Sequence, residues 1–152
     1  MMRIVAFVAA LTLLGTSARV SDAAYFQGAW NCAGARWTFA ALAADSPWTS
    51  IVYGNAAHPD GHAVMGRVAG LHAWVYRDFH ADGSYADLTS AGLKDGRWVW
   101  SGPYYPASGG PALNGRITYT IVSPDRYDRS FASSQPDGSL KAMGGDFCTR
   151  IP

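Results

Sequence analysis

His72, Asp78 and His80 are the residues whose types and spacing come nearest to acid–base chemistry. They fall on one face of an alternating segment, and residues two apart on a strand are about 7 Å apart, so a His80–Asp78 contact is within reach. No Ser or Cys nucleophile with a recognisable elbow accompanies them, so no catalytic site is expected and the chain is read as not an enzyme. His58 and His62, in His58-Pro59-Asp60-Gly61-His62, carry the four-residue spacing that aligns two metal ligands on a helix. Pro59 and Gly61 make that stretch a turn, where neighbouring side chains rarely converge, so no metal is expected. Asp125, Arg126, Asp128 and Arg129 form a mixed-charge run that reads as a solvated strand start.

Binding is better represented than catalysis. Trp74, Tyr76, Trp98, Trp100 and Tyr119 form an aromatic set on alternating segments. Such rings line a ligand cavity or fill a barrel, and sequence leaves both open. If buried, their N–H and O–H groups need partners, for which Arg97, Arg116 and Asp78 are the candidates.

The elements that must position these residues are short strands. All 11 acidic residues are Asp, and Lys94 and Lys141 are the only lysines, a composition poor in good helix formers. Asp60-Gly61, Asp82-Gly83, Asp95-Gly96, Asn114-Gly115 and Asp137-Gly138 are the dipeptides of tight hairpin turns, and Ser123-Pro124-Asp125 adds a break. Between them the sequence predicts strands near 26–33, 36–43, 48–54, 63–68, 71–80, 84–91, 97–104, 115–122, 126–133 and 139–150. Trp74, Tyr76 and Asp78 share a face against Val75, Arg77 and Phe79. Trp98 pairs in phase with Trp100, and Ile117 with Tyr119 and Ile121. Alternation of this kind buries one face of a sheet. The fold class expected is all-β: an antiparallel up-and-down meander of about nine or ten strands that closes into a barrel and so removes its edges. Loops at 55–62 and 103–111 are the alternative seat of function if the barrel is full.

Residues 1–23 read as a cleavable signal peptide. Met1-Met2-Arg3 is a basic start, Ile4 to Leu14 an apolar run with Thr12 in it, and small residues follow. The run is shorter than the roughly 20 residues a membrane span needs. Cleavage fits after Ala18 or after Ala23, with Ala23 preferred because Tyr25-Phe26 reads as folded protein. Residues 24–152 then form a single domain, periplasmic or secreted. Removing Arg3, Arg19 and Asp22 leaves basic and acidic residues in balance, with no basic cluster, which argues against nucleic acid and anionic membranes as partners.

An exported chain with two cysteines, Cys32 and Cys148, one near each end of its folded part, predicts a disulfide between the first and last strands. If those strands are antiparallel with the cysteines opposite, Trp30 faces Arg150 on the same side of the sheet. Gly28-Ala29-Trp30 resembles the Gly-x-Trp opening of calycin-type barrels, the lipocalins and related small secreted bacterial domains of unknown function. Arg150 resembles the arginine that packs on that tryptophan. The resemblance implies an up-and-down barrel around a small apolar molecule. Nitrobindin-like relatives hold haem through a late histidine; here no His follows His80, and no cofactor is expected.

Overall fold

Residues 22–55 and 59–152 are described in the structure, a computed structural model. Among the described residues eleven strands run in chain order: β1 Gly28–Cys32, β2 Ala35–Ala41, β3 Trp48–Gly54, β4 Pro59–Val68, β5 Ala73–His80, β6 Tyr85–Ser90, β7 Leu93–Lys94, β8 Arg97–Tyr105, β9 Leu113–Ser123, β10 Arg126–Ser134 and β11 Leu140–Arg150. Consecutive strands pair antiparallel except β6 and β7, and β7 pairs only with β8. β1 pairs with β11, and β6 pairs with β8 through Tyr85↔Tyr105 and Ala86↔Tyr104. Ten strands therefore close into a barrel, with β7 as a short extra strand beside β8. Closure satisfies the backbone groups that an open meander would leave unpaired.

The expected hairpin turns hold at Asp82-Gly83, Asp95-Gly96 and Asp137-Gly138. Asp95 and Gly96 both have positive φ (51° and 72°), as a two-residue primed turn requires. Asp60-Gly61 and Asn114-Gly115 are not turns: they lie inside β4 and β9. Gly61 sits opposite Tyr53, and a Cβ there would lie 2.1 Å from the Tyr53 hydroxyl, so close approach rather than turning is what this glycine serves. His72 is also displaced from expectation. It caps a 3-10 turn (Ala69–Leu71) in a left-handed conformation, exposed and outside β5.

The two ends of the barrel differ. At one end a 3-10 turn, Asp22–Phe26, folds under the strands and inserts Phe26, whose ring meets those of Phe39, Trp98, Tyr119 and Tyr127. Trp30 Nε1 donates to the Phe26 carbonyl at 2.7 Å. Arg150 lies over the Trp30 ring, 4.1 Å from its centroid, and donates to the carbonyls of Gln27, Tyr25 and Pro124. Gly28 opens β1 at φ 105°, with Arg150 Nη1 3.5 Å from where a Cβ would be. The expected register is the observed one: Cys32 faces and is bonded to Cys148, and Trp30 faces Arg150. The disulfide spans 116 residues, a loop long enough to stabilise by roughly 4–5 kcal/mol in the chain-entropy picture.

Candidate functional site

The other half of the barrel interior is hollow. A cavity of about 430 Å³ lies between the inward faces of β2, β3, β5, β6 and β8–β11. Its walls carry Trp37, Tyr53, Tyr76, Tyr104, Tyr119 and Phe131, with Leu88 and Ile117 between them. The rim holds Leu113 (42 % exposed) and Met143 (61 % exposed), so the cavity meets solvent at the end opposite Phe26. The β8–β9 connection, residues 106–112, lies at this same end, next to the wall residues Tyr104 and Leu113.

One polar cluster interrupts the apolar wall. Asp78, only 5 % exposed, accepts hydrogen bonds from Tyr53 at Oδ1 (2.8 Å) and from Tyr76 at Oδ2 (3.2 Å). His80 Nδ1 lies 3.0 Å from the Tyr53 hydroxyl, and its Nε2 lies 3.4 Å from Asp78 Oδ2. The Tyr53 proton is committed to the carboxylate, so Nδ1 is the donor to the Tyr53 oxygen. Nε2 also faces an acceptor-only oxygen. Both ring nitrogens thus face acceptors, the arrangement that suits imidazolium. Accordingly, the hydrogen bond to Asp78 raises the His80 pKa despite partial burial. Burial, then the neighbouring Asp78 charge, raises Tyr53 far above an ordinary phenol, and burial pushes Tyr119 up to about 12. The tyrosines are therefore hydroxyl donors at any physiological pH.

A second charged group lies across the cavity. Arg129 grips Asp146 with two hydrogen bonds (Nε–Oδ1 2.7 Å, Nη2–Oδ2 2.5 Å) and stacks over Trp37 at 4.2 Å. Burial works against its charge, but the bonds to Asp146 together with the neighbouring Tyr119, Asp146 and Tyr127 raise its pKa on balance. The solvated mixed-charge run is thus corrected at this residue. Arg129 alternates with Tyr127 and Phe131 on the inward face of β10 and is buried, whereas Arg126 stays outside on Asp128.

Of the expected aromatic set, Tyr76 and Tyr119 line the cavity. Trp74, Trp98 and Trp100 are buried in the closed half, packed on one another at centroid distances of 5.0 and 4.7 Å, and are not among the cavity's lining residues. Their indole nitrogens have no hydrogen-bond partner among the described residues, so Arg97 and Arg116 do not serve them. Arg97 is exposed on the outer face, in a shallow groove with Val99 and Thr118. Arg116, also exposed, borders both that groove and the cavity rim. Sequence reasoning missed Trp37, Tyr53 and Arg129. The signal that could have found them is the two-residue phase they share with Phe39, Ile51 and Tyr127.

His62 is exposed on β4 and bonded to Ser50, while His58 lies outside the described residues. Among the described residues no cluster of three or more His, Cys, Asp or Glu side chains could hold a metal. Residues 1–21 of the expected signal peptide also lie outside the described residues. No protein-family model matches the chain, and comparison with curated proteins gives no match.

Proposed function

We propose that this chain is an exported, non-enzymatic β-barrel that binds a small apolar or aromatic molecule in its interior. The observation that carries the reading is the cavity itself: about 430 Å³, walled by aromatic rings and open at one end. Sites for small molecules span about 300–1,000 Å³, mostly apolar with a few polar groups that orient the ligand. Tyr53, Tyr76, Asp78 and His80 are such groups here. The reading assigns them orientation rather than chemistry, since both cysteines are spent in the disulfide and the carboxylate is already held by two hydroxyls.

Export is part of the proposal, supported by the basic–apolar–small opening of the chain and by the disulfide, which persists in oxidising compartments. So is kinship with lipocalin-like barrels, supported by the closed meander and by Arg150 on Trp30 behind Gly28. An apolar fluorescent probe tests the binding reading. Trp37 is the tryptophan in the cavity wall, so a bound probe should quench part of the tryptophan emission saturably, and Trp37→Phe should remove that part. Absence of saturable binding by several probes of different size refutes the reading.

A second reading, an interaction protein acting through its surface, is favoured by one observation. Phe79, Tyr85 and Tyr105 form a row of touching rings on the outer face of β5, β6 and β8, with Phe79 and Tyr105 exposed.

A further inference from the structure

We propose that the cavity takes a small aromatic or apolar amine, whose protonated nitrogen docks against the Asp78 carboxylate. This rests on the reading of the cavity as the binding site and adds the chemical class of its occupant. Asp78 lies in the cavity wall, and two of its three polar neighbours are neutral hydroxyls, from Tyr53 and Tyr76. The third, His80, sits 3.4 Å away with its side chain 30 % exposed, a longer and weaker hydrogen bond than the usual 2.7–3.2 Å. A carboxylate has about four acceptor positions, so one stays open and the one facing His80 is loosely held. The carboxylate is therefore the cavity charge that a ligand can still neutralise. The opposite charge is less open: Arg129 is paired with Asp146 through Nε and Nη2 and its flat face covers Trp37, while Arg116 stands exposed at the rim, where water competes for its charge. An anionic ligand at the inner wall would meet an arginine already paired with Asp146 and a buried carboxylate. A cation would meet that carboxylate amid the rings of Tyr53, Tyr76, Tyr104 and Tyr119, whose π faces favour positive charge.

The charged and titratable groups around Asp78 and His80 are Tyr53 on β3, Asp60 on β4, Tyr76 on β5, Tyr104 on β8, Tyr119 on β9, Arg129 on β10 and Asp82 in the β5–β6 turn. Tyr53, Tyr76 and Tyr119 keep their protons, and Asp82 and Arg129 keep their charges, near neutrality. His80 is the member that changes charge nearest to neutrality, with its pKa raised above the ordinary imidazole value by the hydrogen bond to Asp78. When protonated it competes with a ligand ammonium for Asp78; when neutral it leaves the carboxylate to the ligand.

Calorimetric titration of the folded, oxidised protein with three probes of one shape tests this: 1-naphthylmethylamine, 1-naphthalenemethanol and 1-naphthoate. At about pH 8 the amine should bind at least about tenfold tighter than the alcohol, and the naphthoate weakest. The amine's advantage should shrink towards about pH 5 while the alcohol's affinity stays flat. Asp78→Asn should bring amine and alcohol within about twofold of each other. Should that variant fail to fold, His80→Gln gives an independent arm, because it should abolish the pH dependence of amine binding. Equal binding of amine and alcohol by the wild type, or tightest binding of naphthoate, overturns the amine proposal and leaves the cavity reading standing. Failure of all three probes to bind overturns both.

Discussion

Tyr53 reaches Asp78 across an intervening strand because its cross-strand partner, Gly61, has no side chain to stop it. The phenol leaves β3, passes over β4 and meets the carboxylate on β5 at 2.8 Å. A dipeptide that reads as a hairpin turn is thus the gap through which the polar cluster assembles. Gly61→Ala should tip Tyr53 off Asp78 and strip a charged acceptor of one donor, at a cost of about 1.5–3 kcal/mol. Tyr53→Phe removes the same bond without crowding β4. Urea denaturation of both variants checks the link, and a Tyr53→Phe midpoint equal to that of the wild type would show the bond is immaterial.

The raised pKa of His80 makes stability depend on pH. Its folded-state pKa exceeds the unfolded value, near 6.5 for histidine, because the charged ring is held by Asp78. The stabilisation is therefore fully present below the unfolded pKa and is lost as pH rises through the folded one. The denaturation midpoint should fall between those two values in the wild type and fall less in His80→Gln. Identical pH profiles would contradict the assignment.

Arg150→Ala should cost more than a cation–π contact alone. The side chain covers Trp30 and also donates to three backbone carbonyls. Stacking is worth about 0.5–2 kcal/mol and a single charge-assisted hydrogen bond about 1.5–3 kcal/mol, so a loss of more than about 2 kcal/mol is expected. Arg150→Lys should recover little of it, since one ammonium cannot serve three carbonyls and a ring from one position. A double-mutant cycle with Trp30→Phe isolates the stacking part.

Sheet periodicity made the inward face legible, since Trp74, Tyr76 and Asp78 all point inside, as their alternation requires. The cysteines fixed the closing register in the same way, because an antiparallel pair keeps a constant sum of positions. Depth along the barrel axis was not legible. A period of two assigns a side chain to a face and says nothing of which end of the strand meets Phe26 and which meets empty space. Trp98 and Tyr119, direct cross-strand partners, fall on different sides of that boundary: one is packed core, the other cavity wall. Arg129 was hidden by the charges around it, although its phase with Tyr127 and Phe131 was present in the sequence.

That boundary gives opposite expectations for two truncations. Trp98 is fully buried against Phe26, Trp74 and Trp100, so Trp98→Ala should open a hole and cost about 3–5 kcal/mol. Phe131 is half-buried beside an existing void, so Phe131→Ala should cost less stability and weaken probe binding more. Measuring unfolding and probe affinity on both variants would reveal a reversed ranking, which would move the binding site into the closed half.

The fold also bears on where the expected signal segment would be cleaved. Cleavage after Ala23 would separate Asp22 and Ala23 from the barrel, yet both are built into it. Asp22 Oδ2 accepts from the Leu93 backbone N–H at 3.1 Å, and Ala23 is 3 % exposed within the core. Cleavage after Ala18 retains both contacts and leaves a short lead into the Asp22–Phe26 turn. If the chain is exported and processed, its N-terminus should therefore be Arg19. Intact-mass measurement and N-terminal sequencing of protein recovered from the periplasm or medium distinguish Arg19 from Ala24. Finding Ala24 would mean that the barrel closes without the Asp22–Leu93 bond, and that Phe26 and Arg150 suffice to seal that end.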